Sequence, residues 1–336
     1  MLVDGGIGSD LAKAAGQARV QEELGFDGIW AAETNHDPFL ALTLAAEHTS
    51  TIELGTGIAV AFARSPMTLA QTAYNLNAFA EGRFLLGLGS QIKPHITRRF
   101  SMPWSHPAAR MREFVLAMQA IWTSWEEGSK LDFRGDFYEH TLMTPFFNPG
   151  ANGFGAPRVF LAAVGELMTK VAGEVCDGML CHGFTTESYL REVTSRALAE
   201  GFEASGRTRA DIQLSLPAFV VTGTTEEEMA AAAKGVREQI AFYGSTPAYR
   251  GVLEHHGWGD LQPELNALSK QGEWKQMGTL IDDDILEAFA VVAEPDRVGD
   301  ELLRRFGDLV DRVSFYAPYQ AASTAFAPAI ERLRAA

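Results

Sequence analysis

Cysteine is almost absent from this 336-residue chain, which contains only Cys176 and Cys181. Four residues separate the two, and that spacing fits neither a Cys-x-x-Cys redox pair nor half of a zinc site. We interpret both cysteines as small buried hydrophobic residues.

Motifs for metal binding are missing as well. Glu254-His255-His256 lacks the His-Glu-x-x-His spacing of a zinc protease, and Asp282-Asp283-Asp284 precedes a helical pattern, where carboxylates favour the helix dipole. The sequence contains neither a Gly-x-Ser-x-Gly nucleophile motif nor a Gly-x-x-x-x-Gly-Lys phosphate loop. We therefore expect no metal site.

Positive charge is scarce, since 28 Lys and Arg face 43 Asp and Glu and leave a net charge of −15. Such a surplus of acid disfavours binding to nucleic acid or to an anionic lipid surface. No apolar run approaches the roughly 20 residues that span a bilayer, and no secretory signal pattern is present. We expect a cytoplasmic protein that binds neither nucleic acid nor membrane, and in which an anionic ligand needs a local basic patch.

Short apolar runs alternate along the chain with longer stretches of helical periodicity, which is typical of parallel βαβ units. Eight such units within 336 residues favour one α/β domain over residues 1–336, a (β/α)8 TIM barrel with insertions, because open doubly wound sheets more often stop at five or six strands. The predicted strands are Leu2–Ile7, Gly28–Ala32, Ile52–Ala61, Phe84–Leu88, Val159–Ala163, Gly178–Cys181, Gln213–Val221 and Arg312–Tyr316.

Two segments exceed a minimal barrel. Residues 131–141 alternate apolar positions around Arg134-Gly135-Asp136, which predicts a small hairpin. Residues 242–285 are long enough for a functional insertion or lid. The predicted helices begin near Ser9, Phe39, Pro66, Pro107, Glu166, Thr186 and Thr225, and a last one begins at about Ala321.

Active sites of such barrels lie at the carboxyl ends of the strands, which directs attention to the residues that follow strand two. Glu33 and His36 are candidates for an acid/base pair, because burial can tune a carboxylate and an imidazole toward neutral pH. The alternative is that His36-Asp37-Pro38 only caps the second helix, with Asp37 as N-cap and Pro38 at the first helical position.

Two further segments suggest ligand contacts. Gly87 and Gly89 at the end of strand four let a ligand approach the backbone, and Lys93–Arg99 holds three basic residues in an acidic chain, which indicates an anion site. Val164-Gly165 leads into a helix whose free N–H groups could bind a phosphate. A solvated loop and an ordinary turn are the respective alternatives.

A dinucleotide-binding sheet is a rival interpretation, in which Gly6-Ile7-Gly8-Ser9-Asp10-Leu11 is the glycine-rich turn and Glu33 binds a ribose. Leu11 stands where the third glycine belongs, and its side chain obstructs the close approach of helix and strand. We therefore keep this fold as a minor alternative.

An ordered set of motifs across nearly the whole chain resembles the luciferase-like monooxygenase superfamily. They are Leu24-Gly25-Phe26-Asp27-Gly28-Ile29-Trp30-Ala31-Ala32-Glu33, Ile52-Glu53-Leu54-Gly55-Thr56-Gly57-Ile58, Glu81-Gly82-Arg83-Phe84-Leu85-Leu86-Gly87-Leu88-Gly89-Ser90, Leu161-Ala162-Ala163-Val164 and Ala172-Gly173-Glu174-Val175-Cys176-Asp177-Gly178. Within it, Glu33–Phe39 and Leu142–Gly150 are similar to an actinobacterial subgroup assigned to the deazaflavin coenzyme F420.

The resemblance implies a flavin or deazaflavin in the barrel mouth, often above a cis peptide bond at the end of strand three, here Gly57-Ile58. Many relatives have Asp-His after strand two, whereas this chain has Glu33-Thr34 and its nearest imidazole at His36. The positions that would surround the ring are Glu33, Thr56, Gly57, Ile58, Gly89, Gln91 and His95, and those that would approach the phosphate are Ala163, Val164 and Gly165.

The function implied is hydride transfer between coenzyme F420 and a small organic substrate, with Glu33 or His36 handling the proton. A homodimer is expected. Two alternatives stay open: an FMN-dependent monooxygenase, and a non-catalytic barrel that binds a cofactor or small molecule.

Overall fold

Eight parallel strands form a closed barrel in the computed structural model, which describes residues 1–8, 10–321 and 325–336. Each strand pairs with its neighbour in chain order, and pairs such as Val3–Val313 join the last strand to the first. The predicted TIM barrel is confirmed. The strands are β1 (Leu2–Gly6), β2 (Gly28–Ala31), β3 (Glu53–Thr56), β4 (Phe84–Gly89), β5 (Arg158–Ala163), β6 (Gly178–Cys181), β7 (Gln213–Val221) and β8 (Arg312–Tyr316).

The third strand is shorter than the predicted Ile52–Ala61. It ends at Thr56, and a cis peptide bond follows between Gly57 and Ile58, where the resemblance places one. A second short strand, Ala59–Val60, then pairs with the end of β4. Both segments run parallel to β4, and the pairing shifts by one residue between Leu54–Phe84 and Ala59–Leu88, so the end of β3 is irregular.

Helices surround the barrel, and six of them begin within one residue of the positions predicted near Phe39, Pro66, Pro107, Glu166, Thr186 and Thr225. Ser9, where the first helix was predicted to begin, lies outside the described residues, as do residues 322–324 after the predicted start at Ala321. The helices are Leu11–Glu23, Pro38–His48, Pro66–Phe79, Pro107–Glu127, Glu166–Val175, Glu187–Tyr189, Ser195–Ser205, Glu226–Gly244, Arg250–His255, Leu261–Gln271, Trp274–Thr279, Asp283–Phe289, Val298–Phe306 and Ala327–Arg334, with π-helical turns at His95–Arg99 and Leu190–Thr194.

Two substructures lie outside the regular barrel. Within residues 131–141, Phe133–Arg134 pairs antiparallel with Glu139–His140. The helices of residues 226–289, which lie between β7 and β8 and which we call the insertion, pack with barrel residues such as Phe219 in a second hydrophobic cluster, and the predicted segment 242–285 falls within this range. The outer helix between β7 and β8 is instead Val298–Phe306, which packs in the main core.

A buried ion-pair network occupies the lower part of the barrel, at the start of the strands. The guanidinium of Arg312, which is fully buried, donates to both carboxylate oxygens of Asp4 at 2.8 and 2.7 Å. It also donates to Glu53 at 2.5 Å, and Arg158 pairs with the same Glu53. Because the network lies at the amino ends of the strands, we assign it to stability.

Candidate active site

The carboxylate of Glu33, directly after β2, is fixed by groups from the end of β3. Its Oε2 accepts hydrogen bonds from the Val60 N–H at 2.7 Å and from Arg64 Nη1 at 2.6 Å, and its side chain is 8% exposed. The Glu33 N–H donates to the Ile58 carbonyl at 3.2 Å. Glu33 therefore holds the irregular end of β3 in place.

His36 stands apart from Glu33. It is exposed on the rim, and no ion pair joins the two among the described residues. Asp37 caps the helix Pro38–His48 by accepting from the Phe39 N–H at 2.8 Å, and it also accepts from Arg64 at 2.9 Å. The capping interpretation is therefore confirmed for Asp37, and the structure does not show an acid/base pair.

A continuous surface joins the ends of β3 and β4. The fully buried Thr56 donates its hydroxyl hydrogen to the Gly87 carbonyl at 2.7 Å, so it supports this surface from below. Ile58 is half-buried and lies against Gly89, where an added Cβ would come within 2.7 Å of Ile58 Cδ1. The structure thus brings Thr56, Gly57, Ile58 and Gly89 together.

The segment after β4 forms the neighbouring rim. Gln91 has a φ of 59° and accepts from the Ile92 N–H at 3.0 Å, and the exposed His95 begins a π-helical turn. From the end of that turn, Arg99 donates to the Thr34 carbonyl, so the segment reaches back to β2. Together with Lys93 and Arg98, which have no carboxylate within 4.0 Å in the described part of the chain, Arg99 forms a group that we call the cationic rim.

The positions predicted for a phosphate lie at the end of β5. Gly165 is the N-cap of the helix Glu166–Val175, and no side chain caps that helix. Ala163 and Val164 line a narrow cleft with residues that follow β6, among them His182 and Thr185. The Thr185 hydroxyl is buried and has no hydrogen-bond partner among the described residues.

A third group of side chains lies around the ends of β6 and β8. The ring of His182, directly after β6, packs 4.6 Å from Tyr243 and 4.5 Å from Tyr249, and the Tyr243 and Tyr316 hydroxyls are 2.7 Å apart. Burial lowers the pKa of His182 to about 4, so its imidazole is neutral at neutral pH. We call His182, Tyr243, Tyr249 and Tyr316 the aromatic wall.

Only part of this wall had a signal in the sequence. His182 follows a predicted strand, whereas Tyr243 and Tyr249 come from the insertion, where no motif singles them out. The helix Glu226–Gly244 also contacts the loop after β8, because Gly235 packs against the Pro318 carbonyl. The insertion therefore covers the mouth on the side of β6 to β8.

The described residues lack the features of two other classes of protein. No three or more His, Cys, Asp or Glu side chains cluster in an arrangement that could hold a metal ion. None of the helices in the described ranges combines the length and apolar character that crossing a bilayer requires.

Comparisons with known proteins place these features in context. Uncharacterized protein Rv1360 of Mycobacterium tuberculosis is 56% identical over 313 residues, which cover 93% of this chain and 92% of that protein. The 5,10-methylenetetrahydromethanopterin reductase of Methanolobus tindarius is 26% identical over 306 residues, which cover 89% and 87% respectively.

Solved structures share the fold. The coenzyme F420 dependent tetrahydromethanopterin reductase from Methanopyrus kandleri superposes with a TM-score of 0.81 at 22% identity, covering 99% of this chain and 98% of that one. EDTA monooxygenase from Chelativorans sp. BNC1 gives 0.73 at 15% identity, with coverage of 99% and 92%. The model of the family described as luciferase-like monooxygenase matches residues 2–312. The chain therefore belongs to the luciferase-like monooxygenase family and is an oxidoreductase.

Proposed function

We propose that this oxidoreductase binds coenzyme F420 in the barrel mouth and transfers a hydride between it and a small organic substrate. The observation that carries the proposal is the surface of Gly57, Ile58 and Gly89, where two glycines and one apolar side chain would let a flat ring approach the backbone closely. The uncapped helix beginning after Gly165 stands two strands away from β3 and suits a phosphate.

These features fit either a deazaflavin or FMN, so the choice between them has separate support. The relatives that are 26–28% identical to this chain are 5,10-methylenetetrahydromethanopterin reductases and not monooxygenases. The reductase whose solved structure gives a TM-score of 0.81 is F420-dependent. The cationic rim adds a local attraction for an anionic coenzyme in an acidic chain.

When bound, the deazaflavin supplies a donor or acceptor of hydride and does not readily activate oxygen. The chain itself supplies placement. Ile58 and Gly89 would lie beneath the ring, and the N–H groups after Gly165 would hold the phosphate. His36 on the rim would carry the accompanying proton, and Glu33 would keep the end of β3 in its irregular shape.

Binding of the coenzyme is tested by titrating the purified protein with coenzyme F420 and, separately, with FMN, following tryptophan fluorescence. We expect F420 to bind more tightly. Tight binding of FMN without any binding of F420 would overturn the proposal and favour an FMN-dependent monooxygenase; a type II Baeyer-Villiger monooxygenase from Pseudomonas putida, solved in complex with FMN, shares this fold.

Catalysis needs a second test. With reduced F420 bound, a panel of carbonyl compounds, alcohols and enones should include a substrate, and absence of turnover across the panel would favour a barrel that only binds the coenzyme. His36→Ala should slow hydride transfer and leave the F420 Kd unchanged. An unchanged rate would remove His36 from the mechanism.

Assembly and location are part of the proposal too. We propose a homodimer in the cytoplasm, as the family resemblance implies. Sedimentation equilibrium should give twice the mass of one chain, and the mass of a single chain would contradict it.

A further inference from the structure

The hydroxyl groups of Tyr243 and Tyr316 form a pair at the mouth of the barrel. Tyr316 is the last residue of β8, Tyr243 belongs to the insertion, and their oxygen atoms lie 2.7 Å apart. Both residues are half-buried, so part of each side chain remains open to the mouth. The pair therefore lies where the insertion meets the carboxyl ends of the strands.

The position of the Tyr316 ring is fixed by its neighbours. It stacks on Phe219 with the ring centroids 4.7 Å apart and the planes at 15°. On its other side lies Gly183, where an added Cβ would come within 3.0 Å of Tyr316 Cδ1. The hydroxyl is thus presented from a rigid support, which favours a defined hydrogen-bond direction.

Two hydroxyl groups carry two hydrogen atoms, and a single hydrogen bond between them uses one. The second hydrogen has no acceptor among the described residues. Burial raises the pKa of both tyrosines, so both keep their protons at neutral pH. One unused O–H donor is therefore available to a ligand.

The surroundings of this donor are uncharged and aromatic. Tyr249 and His182 form the rest of the surface, with Phe219 buried behind Tyr316, and His182 is neutral because burial lowers its pKa. His182 Nδ1 accepts from the Phe184 N–H at 3.0 Å, which places its own hydrogen on Nε2. An ionised group would lose solvation here without gaining a partner of opposite charge.

We propose that the hydroxyl pair of Tyr243 and Tyr316 donates a hydrogen bond to the oxygen of an uncharged, ring-bearing carbonyl compound, whose ring packs against the aromatic wall. The inference rests on the proposed function, because it assigns the substrate class of the same site. A donor at this oxygen polarises the carbonyl group and would favour hydride addition from reduced F420 to its carbon, and the alkoxide oxygen would then take the accompanying proton, which the proposed function assigns to His36.

Acetophenone and ethylbenzene serve as probes, because they share a phenyl ring and only acetophenone has an acceptor oxygen. Their Kd values are measured by calorimetry on the wild type and on the double variant Y243F/Y316F, which keeps both rings and removes both donors. We expect the preference for acetophenone over ethylbenzene to fall about three- to tenfold in the double variant, the usual effect of one neutral hydrogen bond.

Tyr319→Phe is the matched control, since the Tyr319 hydroxyl already donates to the Val220 carbonyl at 2.9 Å and accepts from the Thr222 N–H at 3.2 Å. It should leave the preference unchanged. The proposal is overturned if acetophenone does not bind the wild type, or if its preference survives in the double variant. If the double variant does not fold, the infrared carbonyl stretch of acetophenone bound to the wild type replaces it: a hydrogen-bonded carbonyl absorbs at a lower frequency than in an apolar solvent, and an unshifted band would overturn the proposal.

The F420 Kd of each variant is measured in parallel. Loss of the acetophenone preference with normal F420 binding supports the inference, whereas failure of the wild type to bind F420 contradicts the proposed coenzyme and leaves the probe comparison intact. The two proposals can therefore fail separately.

Discussion

Gly87 in β4 has no side chain, and this allows β3 and β4 to approach each other closely. An added Cβ would lie 1.8 Å from the Thr56 carbonyl oxygen and 2.9 Å from Leu180 Cδ1. Gly87→Ala should therefore push β3 away from β4, lowering the free energy of unfolding by about 1–3 kcal/mol and weakening F420 binding. Urea unfolding and fluorescence titration measure the two effects.

Gly16, inside the helix Leu11–Glu23, is the control for that substitution because nothing lies within 4 Å of an added Cβ. Gly16→Ala should raise the free energy of unfolding by about 0.5–1 kcal/mol, since alanine loses less conformational entropy in a helix. A similar loss of stability in both variants would argue against the close approach at Gly87.

Asp4 tests the ion-pair network at the bottom of the barrel. Asp4→Asn leaves Arg312, whose side chain is fully buried, with a weakened partner, and we expect the free energy of unfolding to fall by about 3–5 kcal/mol. Asp300, whose side chain is 43% exposed, pairs with Arg332 on the surface. Asp300→Asn should cost at most about 1 kcal/mol in the same urea titration. An equal loss of unfolding free energy in the two variants would contradict the burial of the Asp4–Arg312 ion pair.

Among the elements, the strands were predictable because each combines a buried apolar run with flanking glycine or polar residues. β6, β7 and β8 have the predicted bounds. The helix Val298–Phe306 was not predicted, although Val298, Leu302 and Phe306 follow the four-residue spacing of a buried helical face. The helix has only nine residues, and its charged residues make the apolar pattern hard to recognise. The sequence instead predicts the longer helix Glu226–Gly244 between β7 and β8.

The candidate site was predictable where its residues follow barrel strands directly. Gly57, Ile58 and Gly89 lie together because β3 and β4 are neighbours in both sequence and space. The hydroxyl pair of Tyr243 and Tyr316 joins residues 73 positions apart, and it depends on how the insertion folds over the mouth. No local pattern specifies such a contact, because tertiary packing alone creates it.

His182 links the insertion to the barrel, and its titration should affect stability. The unfolded chain protonates histidine near pH 6.5, whereas the folded protein holds His182 neutral down to about pH 4, so protonation favours unfolding within that window. The free energy of unfolding should therefore decrease as pH falls from about 6.5 to about 4, with a contribution from His182 on the order of 3 kcal/mol.

Comparison of variants isolates this contribution, because other groups titrate over the same range. In His182→Asn, whose side chain can still accept from the Phe184 N–H, the decrease between pH 7 and pH 4 should be smaller than in the wild type. His48→Asn, at an exposed histidine, should leave it unchanged. An identical pH dependence for His182→Asn and wild type would show that the imidazole is not held neutral.

At the scale of the whole molecule, the net charge is negative, whereas the charge of the cationic rim at the barrel mouth is positive. The net charge of −15 repels an anionic coenzyme, whereas the cationic rim attracts it locally. Salt shortens the screening length from about 10 Å at 0.1 M to about 3 Å at 1 M. We expect added salt to weaken F420 binding to the wild type, because the local attraction dominates at the mouth.

Removing the cationic rim should reverse the effect of salt on F420 binding. In Lys93→Ala/Arg98→Ala, added salt should strengthen F420 binding, since only the repulsion remains to be screened. Lys234→Ala/Lys270→Ala removes two charges on the insertion and should keep the wild-type response. Fluorescence titration at several salt concentrations measures the sign, and the same sign in the rim variant and the wild type would exclude this part of the coenzyme site.

The pairing of β8 with β1 also constrains how the molecule is made. Val3 finds its partner Val313 only after more than 300 residues have been synthesised, and Asp4 meets Arg312 at the same moment. Contacts between residues so far apart in sequence form slowly, so the barrel closes late in folding. Until then, the edge of β1 that pairs with β8 remains unpaired. Ribosome-bound chains ending before Arg312 should therefore be protease-sensitive, and chaperone demand should be concentrated in that interval.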